Sequence, residues 1–287
     1  MQIKIMLAAS AAAAALAAVP ASAQTYPEPA FDGPYVGAAV GYDVQPNDGG
    51  STVLFDRNLD GRFGDTVLTG TGANAFAPSL AQPGAGFCNG QAVGAARSPG
   101  GCRSDKDDIG YYGRVGFDSQ SGNIVVGVVA EFGTSDIRDS STAFSVTPAN
   151  YIFNREIDYE GSIRGRLGFT PNNSTLFYAT GGPGYAKIDS TFSSSQSTNT
   201  FTGRGKSRKF GVTAGGGVEQ RIGAFSFGLE YLHHRYQDDD YRIRVAGPGG
   251  TPFTNAANGG TLTGTDFRRS DDIFRWHSIR GTVGFHF

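Results

Sequence analysis

Hydrophobic and polar residues alternate without interruption from Glu156 to Phe169, EIDYEGSIRGRLGF. One face carries Glu156, Asp158, Glu160, Ser162, Arg164, Arg166 and Gly168, and the other Ile157, Tyr159, Gly161, Ile163, Gly165, Leu167 and Phe169. A period of two is a β-strand signal. The polar face is densely charged, and aromatics flank the apolar one. A strand crossing a membrane in a barrel has this form, apolar toward lipid and polar toward the lumen. A strand of a soluble sandwich is the rival, and the rest of the chain decides between them.

Seven further segments alternate in the same way. They are Tyr35–Val44, Tyr111–Asp118, a run beginning at Ile124 (IVVGVVAEFGTSD), Thr175 to about Asp189, KFGVTAGGGVEQR from Lys209, Phe225–Gln237 and Phe274–Phe287. Small inward residues such as Gly37, Ala39 and Gly41 leave room for bulkier neighbours in a narrow barrel. The fifth strand has an uncertain phase beyond Gly181, since Gly182, Pro183 and Gly184 suggest a bulge or kink.

Three connections are short: Ser119–Asn123, Thr170–Ser174 and Ile222–Ala224. Four are long, at about 45–108, 137–149, 190–207 and 238–272, and the first shows no strand pattern. Short turns alternating with long loops place every long connection at one end, which a soluble sandwich has no reason to do. The expected fold is an all-β, eight-stranded, antiparallel up-and-down transmembrane β-barrel with long extracellular loops, closing over 34–287.

The N-terminus supports export. Lys4 precedes an apolar run from Ile5 to Val19 and the small residues Ala21, Ser22 and Ala23, so 1–23 read as a signal peptide and 24–33 as a periplasmic leader. Without Lys4 the chain has 23 basic and 26 acidic residues, a formal charge of −3, and no basic excess favours nucleic acid. The charged fraction of 17% is low, as suits a chain with a lipid-facing surface. Cys88 and Cys102, close together in an exported Gly/Pro/Ser-rich segment, are expected to form a disulfide, with free thiols as the alternative.

The last strand ends FRWHSIRGTVGFHF, with Ile279, Val283, Phe285 and Phe287 on one face and Trp276, Arg280 and His286 on the other. With GRVGFD at Gly113, EFGTSD at Glu131, SIRGRLGF at Ser162, LFYATGGPGYA at Leu176, GVTAGGGVE at Gly211, LEYLHHRY at Leu229 and HSIRGTVGFHF at His277, the chain resembles the OmpA-like and opacity-like outer-membrane barrels of Gram-negative bacteria. The resemblance covers the strands and spares the loops. It implies residence in the bacterial outer membrane among lipid and lipopolysaccharide, as a monomer. It also implies that Val283, Phe285 and Phe287 form a C-terminal signal read by the barrel assembly machinery, although Gly281 and Gly284 depart from that signal's usual glycine.

Three constellations bear on function. Arg114, Glu131, Glu156, Asp158, Glu160, Arg164, Arg166, Glu219, Glu230 and Arg280 are expected to face the lumen, either as a salt-bridged plug or as the lining of a narrow ion path. In the first loop, Asp56, Asn58, Asp60, Gly61 and Arg62 match the start of a calcium loop. Position twelve is Val67 instead of Glu, so Asp65 would have to substitute, and an Asp/Asn/Gly turn without an ion is the alternative. No other cofactor is expected. His233, His234, Ser270 and Asp238–Asp240 contain the residue types of an acyl-cutting enzyme, but alternation sends His233 and His234 to opposite faces. The leading expectation is a non-catalytic barrel serving envelope integrity and surface contacts through its loops. The alternatives are a small low-conductance porin and, less favoured, a lipid A-modifying enzyme.

Overall fold

The computed structural model describes residues 30–46, 51–99 and 101–287. The expected signal peptide and the first part of the leader lie outside these residues. Eight strands form the barrel: β1 (Gly33–Val44), β4 (Asp108–Ser121), β5 (Ile124–Ser135), β7 (Ala149–Phe169), β8 (Thr175–Ser194), β10 (Arg208–Ile222), β11 (Phe225–Gln237) and β14 (Ile273–His286). Each pairs antiparallel with its sequence neighbour in this set, and β1 pairs with β14 to close the ring. Closure leaves no sheet edge and satisfies the backbone internally. Gly122 and Gly223 have φ of 58° and 63° in the tightest turns, conformations that glycine adopts without strain.

The alternation of β7 holds from Glu160 to Phe169, with Glu160, Arg164 and Arg166 buried while Ile163 and Leu167 are 59% and 61% exposed. It breaks where pairing passes from Ile157↔Ile188 to Tyr159↔Lys187, leaving Asp158 as an extra residue in a β-bulge. Beyond the bulge the faces exchange: Tyr151, Phe153, Arg155 and Ile157 point inward and are buried. Glu156 and Asp158 therefore lie outside the barrel, against Arg138 at 2.5 Å and Lys187 at 2.8 Å, and their expected place in the lumen is corrected. A one-residue insertion reverses every assignment on its far side. The Gly182–Gly184 segment of β8 keeps its phase, with Pro183 turned outward opposite Val212.

The long connections are not structureless. They supply β2 (Val53–Asp56), β3 (Gly86–Asn89), β6 (Arg138–Ser145), β9 (Thr200–Arg204), β12 (Arg242–Ala246), β13 (Thr265–Arg269) and a 3-10 turn at Ala257–Gly259. Two of these strands lie in the first loop, where none was expected. Strands β2, β13, β12 and β9 make a four-stranded antiparallel sheet, while β6 and β3 extend the upper part of β7. Val53, Phe55, Phe76, Tyr151, Phe253 and Phe267 belong to the apolar core between them. Phe55 packs at 4.5 Å from Phe76 and 4.9 Å from Phe267 by ring centroid. The result is a folded cap on the loop end of the barrel.

At the turn end the leader forms a stopper. Phe31 is fully buried with Val125, Leu176 and Tyr178, edge-on to His286 at 6.2 Å. Its N–H donates to Gln120 Oε1 at 3.0 Å.

Candidate functional site

Charges fill the barrel between stopper and cap. Lowest, Arg166 donates to the Tyr35 hydroxyl at 2.7 Å, Asp118 at 3.0 Å and Glu219 at 2.7 Å, with its guanidinium 4.2 Å from the Tyr178 ring centroid. Above it, Arg114 bridges Glu131 and Glu230, both at 2.6 Å. Arg280 reaches Glu131 at 2.5 Å and Glu160 at 3.1 Å, and Arg164 lies 3.3 Å from Glu131 and 3.4 Å from Glu230. Arg114↔Glu131 and Glu230↔Arg280 are direct cross-strand partners, so strand register alone brings these charges together. Gly116 makes room for a ring, since a Cβ there would meet Tyr35 at 2.3 Å.

Eight of the ten expected lumen residues thus lie inside in two charged groups: Arg166 and Glu219 below, and Arg114, Glu131, Glu160, Arg164, Glu230 and Arg280 above, linked by Tyr178, whose ring lies against Arg166 and whose hydroxyl donates to Glu230 at 2.9 Å. Asp43, Asp118, His234 and His286 join them. Alternation had already faced Asp43, Asp118 and His286 away from lipid, so the signal for them was present. Buried ions of this kind survive only with mutual pairing, because desolvating each costs several kcal/mol.

Within the network, Ser278 Oγ lies 3.2 Å from His234 Nε2, and His234 Nδ1 lies 3.1 Å from Glu160 Oε2. The spacing is that of a nucleophile, base and acid, but all three are buried and the Ser278 hydroxyl also bonds Asp43. Arg280 donates to Nε2 at 3.2 Å, which suits an imidazole carrying its proton on Nδ1. The enzyme candidates from the sequence do not converge. Ser270 Oγ accepts the Thr52 N–H in the cap, Asp238 and Asp240 hold Lys209, and His233 faces outward.

A second charged cluster joins the barrel mouth to the cap. Arg155 bonds Asp139 and lies 3.5 Å from Asp238 and 3.3 Å from Asp271, while Arg269 of β13 donates to Asp139 at 2.8 Å. Burial opposes ionisation of Asp139, but Arg155 and Arg269 outweigh it and hold its carboxyl below the usual range. Nearby Asp105, which accepts the Ser140 N–H at 2.8 Å, is pushed up to about 7 by burial and by the negative charge of Asp139. The sequence did not reveal this cluster, because Arg155 lies beyond the bulge and Asp139 and Arg269 lie in connections read as loops.

In the first loop, Cys88 and Cys102 are disulfide-bonded with Cα atoms 6.0 Å apart. The candidate calcium residues turn their oxygens on their own backbone. Asp56 accepts the N–H groups of Asp60 and Gly61, Asn58 accepts that of Asp60, Asp60 accepts that of Arg62, and Asp65 accepts that of Arg57. Among the described residues no group of three or more His, Cys, Asp or Glu is placed to hold a metal.

The outer surface completes the description. Val40, Val115, Val126, Val128, Leu229, Ile279 and Val283 form an exposed apolar belt. Rings border it at the turn end, where Phe285 packs on Phe225 at 5.3 Å and on Phe287 at 5.2 Å, and at the loop end through Phe132, Tyr159, Tyr185 and Phe210. Among the described residues no helix is long and apolar enough to span a membrane. A closed ring with an apolar belt between two aromatic girdles crosses a membrane by strands.

The protein is an eight-stranded transmembrane β-barrel of the bacterial outer-membrane kind. No family model matches the chain, and no curated protein matches its sequence. Solved structures similar to it include the outer membrane protein OprG from Pseudomonas aeruginosa, 10% identical over 90% of this chain and 98% of that one, with a TM-score of 0.48. Another is Ail, the attachment invasion locus protein of Yersinia pestis, in complex with the heparin analogue sucrose octasulfate, 13% identical over 89% of this chain and 99% of that one, with a TM-score of 0.32. The assignment rests on the closed ring and its belt, not on these two alignments.

Proposed function

We propose that the protein is a closed, non-catalytic barrel that strengthens the outer membrane and presents its cap as the surface for external contacts. The observation carrying this is the filled interior, where paired arginines and carboxylates occupy the lumen between the Phe31 stopper and the aromatic cap core. A low-conductance porin is the second function, favoured by the Nε atoms of Arg164, Arg166 and Arg280, which have no partner among the described residues and offer bonds to water. Planar-bilayer recording of the refolded chain, with heat-dependent gel mobility to verify folding, separates the two. Silence is expected, and stable discrete openings would replace the structural role with the porin.

The same proposal makes the chain a monomer, delivered by the barrel assembly machinery through Val283, Phe285 and Phe287. Deleting Phe287 is expected to lower outer-membrane levels, and unchanged levels would remove the signal. The Asp56–Asp65 turn is proposed to stand without an ion. Protease cleavage of the first loop is therefore expected to be equal in calcium and in chelator, whereas protection by calcium would restore an ion site.

A further inference from the structure

On the outside of the barrel near the cap, charged groups at the start of β4 and on β6, β7 and β8 come with counter-charges. Arg138 pairs with Glu156, Lys187 with Asp158, and Lys106 with Asp108. The β11–β14 face is different. Directly above Tyr231↔Ile279, His233 stands opposite His277, and the next outward pair is Arg235 opposite Arg275. Like charges placed directly across a strand pair are destabilising. On the flanking strands His277 faces Val44, His233 faces Ala214 and Arg235 faces Val212, so no carboxylate stands directly opposite these three residues there.

The rings are arranged for a ligand from the lipid side. The Tyr231 hydroxyl lies 2.6 Å from His277 Nδ1, and when the hydroxyl donates this bond the ring's N–H is on Nε2. His233 lies 4.8 Å from His277 by ring centroid. Arg235 beside the imidazoles disfavours a metal cation and favours an anion. Arg275 also has a partner of its own, so His233, Arg235 and His277 carry the case.

We propose that His233, Arg235 and His277, with Arg275 beside them, bind the phosphate of a lipid headgroup in the outer leaflet. Guanidinium and imidazole N–H groups suit phosphate oxygens. The exposed belt residues below, Leu229 and Ile279, would lie along acyl chains. The inference rests on the cap facing outward, which proteolysis of the cap on intact cells checks separately.

The test uses the full chain refolded in maltoside micelles, which contain no phosphate. It is titrated with a diphosphorylated glycolipid of the lipid A type, with the same lipid after phosphate removal, and with inorganic phosphate. Retained lipid is counted by native mass spectrometry, and folding is checked by heat-dependent mobility. The unaltered chain should prefer the phosphorylated lipid by about tenfold. H233Q/R235Q should lose that preference and R235Q alone should reduce it, whereas R208Q, which removes an exposed charge on β10, should leave it intact. Equal retention of the two lipids would overturn the proposal, as would an unaffected double variant or an equal loss in R208Q. Displacement by inorganic phosphate at concentrations matching the lipid would also overturn it, by showing an ion site without lipid specificity.

Discussion

The barrel and the cap solve opposite problems with one kind of strand. In the barrel, arginine and carboxylate point inward and valine, leucine and phenylalanine outward. In the cap, Phe55, Phe76, Tyr151 and Phe267 point inward, while Asp60, Arg62, Thr202 and Arg204 face water. Strand β7 passes through both regions, and the Asp158 bulge is where its faces change solvent. The bulge thus joins a lipid-facing structure to a water-facing one. It follows that polar pairing should govern stability below the bulge and apolar packing above it.

The most damaging test should be the loss of Glu131, which answers Arg114, Arg164 and Arg280 together. E131A leaves buried cations without their shared anion, at a cost of about 3–5 kcal/mol. Barrel unfolding followed by gel mobility in urea should shift accordingly. Stability unchanged by E131A would show that water compensates inside the lumen, and would sharpen the case for a wet path.

Removing Phe267 from the cap core should cost about 3–5 kcal/mol, but only locally. The F267A cap should become open to protease while the barrel keeps its heat-resistant form. If the barrel transition moved equally, the two regions would be one cooperative unit and the comparison would fail. C88S should act in the same place and a little less strongly. Its bridge closes a sequence separation of 14, worth ~3 kcal/mol in loop entropy.

The barrel was legible in the sequence because lipid enforces a strict period of two over long strands, as from Ile124 to Phe132 or from Phe225 to Tyr231. The lumen network was legible for the same reason, up to the bulge. No residue type marks Asp158 as an extra residue, so Glu156 was assigned to the wrong face and Arg155 was overlooked. The cap strands escaped because β2, β3, β9, β12 and β13 are only 4 or 5 residues long and sit among Ser, Thr and Gly. One signal was available: Tyr151, Phe153 and Arg155 continue the alternation above the predicted start at Glu156. Extending that strand upward would have lengthened it, but in the predicted phase these side chains fall on the lipid face, and only the Asp158 bulge turns them inward.

The smallest expected effect concerns the junction between the two regions. Asp105 has its carboxyl raised from 3.8 to about 7 in the folded cap, so the folded state holds a proton that the unfolded chain releases. Its contribution to stability is fully present below the unfolded value and is lost as pH rises through about 7. Asp139 has the opposite sign, because its lowered carboxyl supports the cap at neutral pH and withdraws that support only in stronger acid. Between pH 7 and pH 4 the Asp105 contribution therefore decides the slope, and the cap should become more resistant to an acid-tolerant protease as pH falls. For a carboxyl still partly open to water the gain should be about 1 kcal/mol, near fivefold in cleavage rate. D105N should flatten this window while leaving the barrel transition unmoved. A slope surviving in D105N would place the titrating group elsewhere, and a barrel transition that followed the slope would mean the junction transmits protonation into the membrane.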